Sequence, residues 1–298
     1  MYGLCGGRVS ITIRHPPEPE HSMTRRGLVP LLLAALRGVI PGQARAQQLP
    51  ADDSGAVARL SASPRHGEWV HYDAGAGDSV RAWIVYPERR DAAPVVLVIH
   101  EIFGLTDWAR AVADQLAAEG FIAIVPDLLS GHGPNHGGSE SVDRQGAIAL
   151  IRSVTPDEQV SRLTAAARYA TGLPSARNAV GVVGFCWGGT ASFHLATAWP
   201  DLRAAVVYYG TSPDDSDLAR VHAPVLGLYG GDDARVGATV PPAQAAMQRL
   251  GKRYDVAMYD GAGHGFLRDQ SGRDGANRRA SQAAWPRTIA FFRETLGR

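Results

Sequence analysis

Cysteine is nearly absent from this sequence: Cys5 and Cys186 are the two among 298 residues. No Cys/His cluster has the spacing of a zinc site, and Cys5 falls in a stretch read below as removed, so no internal disulfide is expected. An excess of charge of one sign is also lacking. Lys+Arg number 30 against 29 Asp+Glu, for a formal net charge of +1, and the basic residues are scattered. Phosphate backbones call for a basic stripe, so nucleic acid is not an expected partner. There is no internal repeat and no serine in a G-x-S-x-G setting.

What is present is the composition of an ordinary globular protein, 45% hydrophobic and 20% charged. Residues 23–46 read MTRRGLVPLLLAALRGVIPGQARA. The paired Arg25-Arg26, the apolar run Leu28–Leu36 and Ala44-Arg45-Ala46 form the n-region, h-region and A-x-A site of an export signal. The pair resembles a twin-arginine signal, which implies passage in a folded state. Pro30 and Arg37 break the apolar run, leaving it short for a bilayer. Translation is expected to start at Met23 and the mature chain near Gln47, as an exported periplasmic or extracellular protein without a stable membrane span. Residues 1–46 are thus extension and signal, and 47–66 a polar linker without periodicity. A single domain is expected over 67–298, because about 230 residues suffice for one well-buried core.

Within that domain, β-prone Glu68–Asp73 and Val80–Tyr86 flank a hairpin signal at Gly75-Ala-Gly-Asp78. Pro94–His100 is a continuous apolar run, as expected of a strand buried on both faces. Further strands are expected at Phe121–Val125, Val180–Gly184, Ala204–Tyr208, Val225–Tyr229 and Asp255–Tyr259. Helical spacing falls between them, at Trp108–Glu119, Ser141–Ile151, Asp157–Tyr169, Gly188–Ala198, Pro242–Leu250 and Ser281–Leu296. This alternation implies an α/β fold with a mostly parallel sheet and helices on both faces. Such folds carry their chemistry at the carboxyl ends of the strands.

One such end reads Gly184-Phe-Cys-Trp-Gly-Gly189, a nucleophile elbow with Cys186 where serine is usual. The glycines relieve clashes with strand and helix, and the helix N-terminus behind the sulfur is expected to favour thiolate. The N–H of Trp187 would face a developing oxyanion. After a nucleophile of this kind the fold requires an acid and then a histidine. Asp232-Asp233 follows one later strand and His264, in Gly261-Ala-Gly-His-Gly-Phe266, follows the next. A lone cysteine is ordinarily an inert core residue; the strand–turn–helix setting reverses that here. His66, His71, His132, His136, His194 and His222 have no such setting and read as structural or surface residues.

These pieces, with His100-Glu-Ile-Phe-Gly104 and Pro126-Asp-Leu128, resemble the dienelactone hydrolase family of carboxymethylenebutenolidases, from about Gly67 to the C-terminus. The resemblance implies the α/β-hydrolase fold and cofactor-free, metal-free hydrolysis of small-molecule esters or lactones. It selects Asp233, the fourth position of G-x-x-D-x-x-V, as the acid beside Cys186 and His264, leaving Asp232 as a turn residue. It implies that Glu101 contacts the resting cysteine and takes its proton, and that the N–H of Ile102 is the second oxyanion donor. It gives Arg268 a role in holding a substrate carboxylate. The second arginine of the family pattern is missing, since Gly131 stands in its place; His132 or His136 could supply that cation. A peptidase, acyltransferase or carbon–carbon hydrolase would use the same triad, and a non-catalytic binding protein is the reading from another class. A monomer or small homo-oligomer is expected.

Overall fold

The computed structural model describes Pro17 and residues 48–297; the export segment and the expected mature terminus at Gln47 lie outside the described residues. In chain order, α1 (Ala56–Ser61) precedes the hairpin β1 (Gly67–Asp73) and β2 (Ser79–Val85). Then follow β3 (Ala93–Ile99), α2 (Asp107–Ala118), β4 (Ile122–Pro126), α3 (Arg144–Leu150), α4 (Pro156–Thr171), β5 (Ala176–Phe185) and α5 (Trp187–Ala198). The chain ends with β6 (Ala204–Tyr208), α6 (Asp215–Leu218), β7 (Val225–Gly230), α7 (Ala234–Gly237), α8 (Val240–Arg249), β8 (Tyr254–Tyr259) and α9 (Ala276–Leu296). The strands make one eight-stranded sheet in the order β1-β2-β4-β3-β5-β6-β7-β8. Pairing is antiparallel from β1 through β2 to β4 and parallel from β4 to β8.

Every residue of β3 is buried, and the strand period decides which core each one enters. Val95, Leu97 and Ile99 join Leu163 and Ala166 of α4 and Phe193 of α5 on one face. Val96 and Val98 join Trp108 and Val112 of α2 and Trp285, Ile289 and Phe292 of α9 on the other. The two layers clamp β3 and β5 at the centre of the sheet, so the loops leaving those strands start from strand ends packed on both faces.

Local signals set the element ends. At the hairpin, Gly75, Ala76 and Gly77 all have positive φ. Helix α4 begins at Pro156 after Thr155, whose side chain accepts from the Glu158 N–H, a Pro-at-N1 start. Helix α3 starts at Arg144, three residues after the expected Ser141, because Asp143 caps it through Gly146 N–H at 2.8 Å. Helix α9 starts at Ala276 rather than Ser281 and continues through Pro286. No helix among the described residues is long and apolar enough to cross a membrane.

The stretch expected as a linker contains α1, and residues 50–65 form a strap over α2. Trp108 Nε1–H donates to Ala51 O (3.1 Å) and Gln270 Nε2–H to Pro50 O (2.9 Å). The strap is fixed mainly by Asp114 of α2, which is 2% exposed. Its carboxylate accepts from Arg59 Nε (2.8 Å), from Arg65 Nε and Nη2 (2.9 and 2.7 Å), and from the Ser63 hydroxyl. None of this is visible in the periodicity, since the partners lie 49 to 57 residues away in sequence, and 220 for Gln270.

Burial raises the Asp114 pKa, but hydrogen bonds from Arg65, Ser63 and Arg59 outweigh it and the net shift is downward. A carboxyl whose folded pKa is depressed contributes stability above its unfolded value, near 4, that is lost as pH falls through the folded value. Asp114→Ala should therefore lower the urea-unfolding free energy at pH 7 by about 2–3 kcal/mol. The gap from wild type should narrow as the titration is carried below about pH 4. A gap of the same size at pH 7 and pH 3 would show that the ion pairs are not its source.

Candidate active site

Strand β5 delivers Cys186 to the carboxyl edge of the sheet in a sharp turn, with φ 59° and ψ −118°. For a non-glycine residue this is strained by about 1–3 kcal/mol. Packing enforces it: Cys186 N–H donates to Tyr208 O at 3.0 Å, and Thr190 N–H in the first turn of α5 donates to Cys186 O at 3.1 Å. Two flanking glycines are obligatory for close approach. A Cβ on Gly184 would sit 1.8 Å from Gly188 O, and one on Gly188 would sit 2.4 Å from His100 O.

Asp233 leaves β7 and caps α7 through Val236 N–H (3.4 Å), and its other oxygen accepts from His264 Nδ1 at 2.5 Å. Asp233 is buried, whereas Asp232 is exposed and pairs with Arg273 Nη1 at 3.0 Å. The loop after β8 thus meets Asp233, the second of the two neighbouring aspartates.

Glu101 follows β3 and is 4% exposed. Arg268 Nε–H donates to its Oε2 at 2.6 Å, while Oε1 is buried and makes no hydrogen bond. Burial raises the Glu101 pKa more than the charges of Arg268 and His264 lower it. His100 orients this segment. Leu128 N–H donates to its Nε2 (3.2 Å), so Nδ1 carries the proton and donates to Glu101 O at 2.7 Å.

The expectation of a thiolate at the helix N-terminus is not met. Burial and then the Glu101 charge push the Cys186 thiol up to about 11, although the N–H groups of Trp187 and Ile102 and the charge of Arg235 act to lower it. Desolvation disfavours a buried anion by more than one helix end favours it. No hydrogen bond joins Cys186 to His264 among the described residues; the groups that act on the charge of the resting sulfur are Glu101, Arg235 and the N–H groups of Trp187 and Ile102.

These side chains line one cavity of about 400 Å³, formed by Glu101, Ile102, Phe103, Cys186, Trp187, Thr190, Tyr209, Thr211, Arg235, His264 and Arg268. Among the described residues no group of three or more His, Cys, Asp or Glu could hold a metal ion. Arg268 lines the cavity, but its Nε is committed to Glu101 and its Nη1 lies 3.7 Å from Asp53. His132 bonds Glu158 (2.7 Å) and Ser153 (3.0 Å) instead, and His136 is exposed; neither lines the cavity. Nor does Gly131.

Five lining residues were not among the expected site residues, Phe103, Thr190, Thr211, Tyr209 and Arg235, and the last two bear on the chemistry. Arg235, exposed on α7, has no ion pair or hydrogen bond among the described residues; its signal was its place two residues after Asp233 at a strand end. Tyr209 follows β6 with φ 40° and is fully buried, its hydroxyl under the influence of the Glu101 carboxylate. Its ring packs edge-on to His264 with centroids 5.1 Å apart. Looking one residue beyond every strand would have found it.

The model of the dienelactone hydrolase family matches residues 80–296. A candidate carboxymethylenebutenolidase of Salmonella typhimurium is 31% identical over 263 residues, covering 80% of this chain and 95% of that protein. Another from Methylorubrum extorquens is 33% identical over 228 residues, covering 72% and 77%. The crystal structure of a candidate dienelactone hydrolase from Klebsiella pneumoniae superposes with TM-score 0.68 at 27% identity, covering 76% of this chain and 98% of that one.

A resting thiol with a pKa of about 11 has a thiolate fraction that grows tenfold per pH unit through the neutral range. Alkylation of Cys186 by iodoacetamide, followed on its peptide by mass spectrometry, should keep accelerating up to at least pH 9. A plateau reached below pH 7 would mean that the thiol is already ionised at rest, as in a preformed cysteine–histidine ion pair.

Proposed function

This chain belongs to the dienelactone hydrolase family, and we propose that it hydrolyses small carboxylic esters or lactones through an acyl-enzyme on Cys186. The observation that carries this reading is the shared cavity. It brings together the strained Cys186, His264 held by Asp233, and the paired N–H groups of Ile102 and Trp187.

In this reading the substrate carbonyl displaces the sulfur, and the thiol proton passes to Oε1 of Glu101, the oxygen that Arg268 does not engage. The thiolate attacks the carbonyl carbon. A C–S bond forms, and the carbonyl π electrons move to an oxyanion held by Ile102 and Trp187. Collapse breaks the bond to the alcohol oxygen, which takes the proton held by Glu101, directly or relayed through His264. Water, deprotonated by His264, then releases the acid and restores the thiol. Asp233 holds the tautomer of His264 and stabilises its charged form. The export pattern in residues 23–46 supports action outside the cytoplasm.

A peptidase would use the same groups. An acylaminoacyl peptidase from Pyrococcus horikoshii superposes with TM-score 0.62, but at 15% identity it shares the fold and no more. A non-catalytic role is disfavoured by the retention of every group that the reaction uses.

Because Arg268 is engaged by Glu101 and flanked by Asp53, Arg235, unpaired among the described residues, becomes the main anchor for a carboxylate. This replaces His132 and His136 as the source of the second cation. A charge-assisted contact to an exposed arginine sits at the weak end of its range, so roughly tenfold is expected.

A panel of neutral and carboxylated esters and lactones, run with point variants, tests both parts. Cys186→Ala and His264→Ala should each lower kcat by about 10³-fold or more, Asp233→Asn somewhat less, and Asp232→Asn little. Arg235→Ala should raise KM about tenfold for the carboxylated substrates alone. Full turnover by Cys186→Ala would exclude the acyl-enzyme. A larger loss in Asp232→Asn than in Asp233→Asn would reverse the choice of acid.

A further inference from the structure

The strap formed by residues 50–65 lies upstream of the matched family region, which begins at residue 80, yet it contacts Arg268, a residue of the cavity wall. Asp53 N–H donates to Arg268 O at 2.9 Å. Its carboxylate lies 3.7 Å from Arg268 Nη1 and 3.9 Å from Arg144 Nη1. Both arginines sit over Phe103, a residue of the cavity wall, with guanidinium carbons 5.1 and 3.4 Å from the ring centroid. The side chains form a line from solvent inward: Asp53 is 45% exposed, Arg268 22% and Glu101 4%.

We propose that Asp53 is a positioning residue of this site, which fixes the outer edge of Arg268 and sets how strongly the cavity attracts anions. Arg268 faces a carboxylate on each side. Glu101 takes its Nε within hydrogen-bond distance, and Asp53 draws on the far side of the same guanidinium while anchoring the backbone that carries it. The inner pair is dry and short. The outer one is wet and longer, so it tunes the charge rather than cancelling it. With Asp53 in place the arginine is held for Glu101 and presents little free charge to a ligand. Without it the same arginine becomes an open anion site. The strap is thereby part of the entrance, and Asp114, by holding the strap, acts on the entrance indirectly. This deepens the reading above and rests on it for the identity of the substrate, but the electrostatic claim can be measured without one.

The full-length chain, freshly reduced, is alkylated at low ionic strength with iodoacetate and in parallel with iodoacetamide. The ratio of the two rates at Cys186 reads the charge of the cavity, and a general loosening of the fold raises both rates together. Asp53→Asn should raise the iodoacetate-to-iodoacetamide ratio about two- to fivefold, the range open to a partly exposed ion pair. Asp53→Glu should return it most of the way to wild type. Asp52→Asn should leave it unchanged, since Asp52 carries the same charge on the same strap but bonds Ser54 and Gly55 N–H instead. An unchanged ratio in Asp53→Asn, or an equal rise in Asp52→Asn, would overturn the proposal. Failure to hydrolyse any ester would overturn the enzymatic reading and leave this ratio to stand or fall separately.

Discussion

Glu101 and Cys186 share a dry space in which a negative charge on either one makes a charge on the other costly. Burial raises both acids, and the Glu101 charge raises the thiol further. The remaining groups of the site respond to that conflict. Arg268 supports the ionised carboxylate on one side, and the N–H groups of Ile102 and Trp187 give the sulfur partial relief on the other. His264 and Asp233 stand apart, hydrogen-bonded to each other and not to the thiol. The arrangement suits a nucleophile kept neutral at rest and released when a substrate carbonyl takes its place. Such a site guards a lone cysteine against alkylation and oxidation, which proceed through the thiolate.

The scaffold makes this conflict tolerable. Burying a carboxylate and bending a non-glycine residue to φ 59° both oppose folding, the second by about 1–3 kcal/mol. They sit at the ends of β3 and β5, the strands packed between two continuous hydrophobic layers. Strain of this size persists where the surroundings determine the backbone on every side. The carbonyls that any added Cβ at Gly184 or Gly188 would strike are part of that determination.

The sheet and the elbow were legible in the sequence because their signals are local. An apolar run such as Pro94–His100 reports burial on both faces wherever its neighbours lie, and glycines around Cys186 report a turn that only small residues allow. The pairing of His264 with Asp233 was legible through chain order and strand ends. What could not be read depends on partners distant in sequence. The strap resembles a linker because its stabilising groups, Asp114 and Gln270, belong to other elements. The charge state of Cys186 was misjudged for the same reason: the helix N-terminus is adjacent in sequence, whereas the burial and the Glu101 charge that outweigh it arrive through the fold. Arg268 lines the cavity, but its commitment to Glu101, 167 positions away, has no local signature.

In the proposed reaction the chemistry passes through a covalent acyl group on Cys186. The most direct measurement is to quench the enzyme in acid during turnover of a slowly hydrolysed ester and to map the added mass by peptide mass spectrometry. The account predicts one acyl group, located on Cys186, which accumulates in His264→Ala if acylation still proceeds and is absent from Cys186→Ala. Turnover that continues with no acyl group on any residue, or an acyl group borne by a residue other than Cys186, would contradict it.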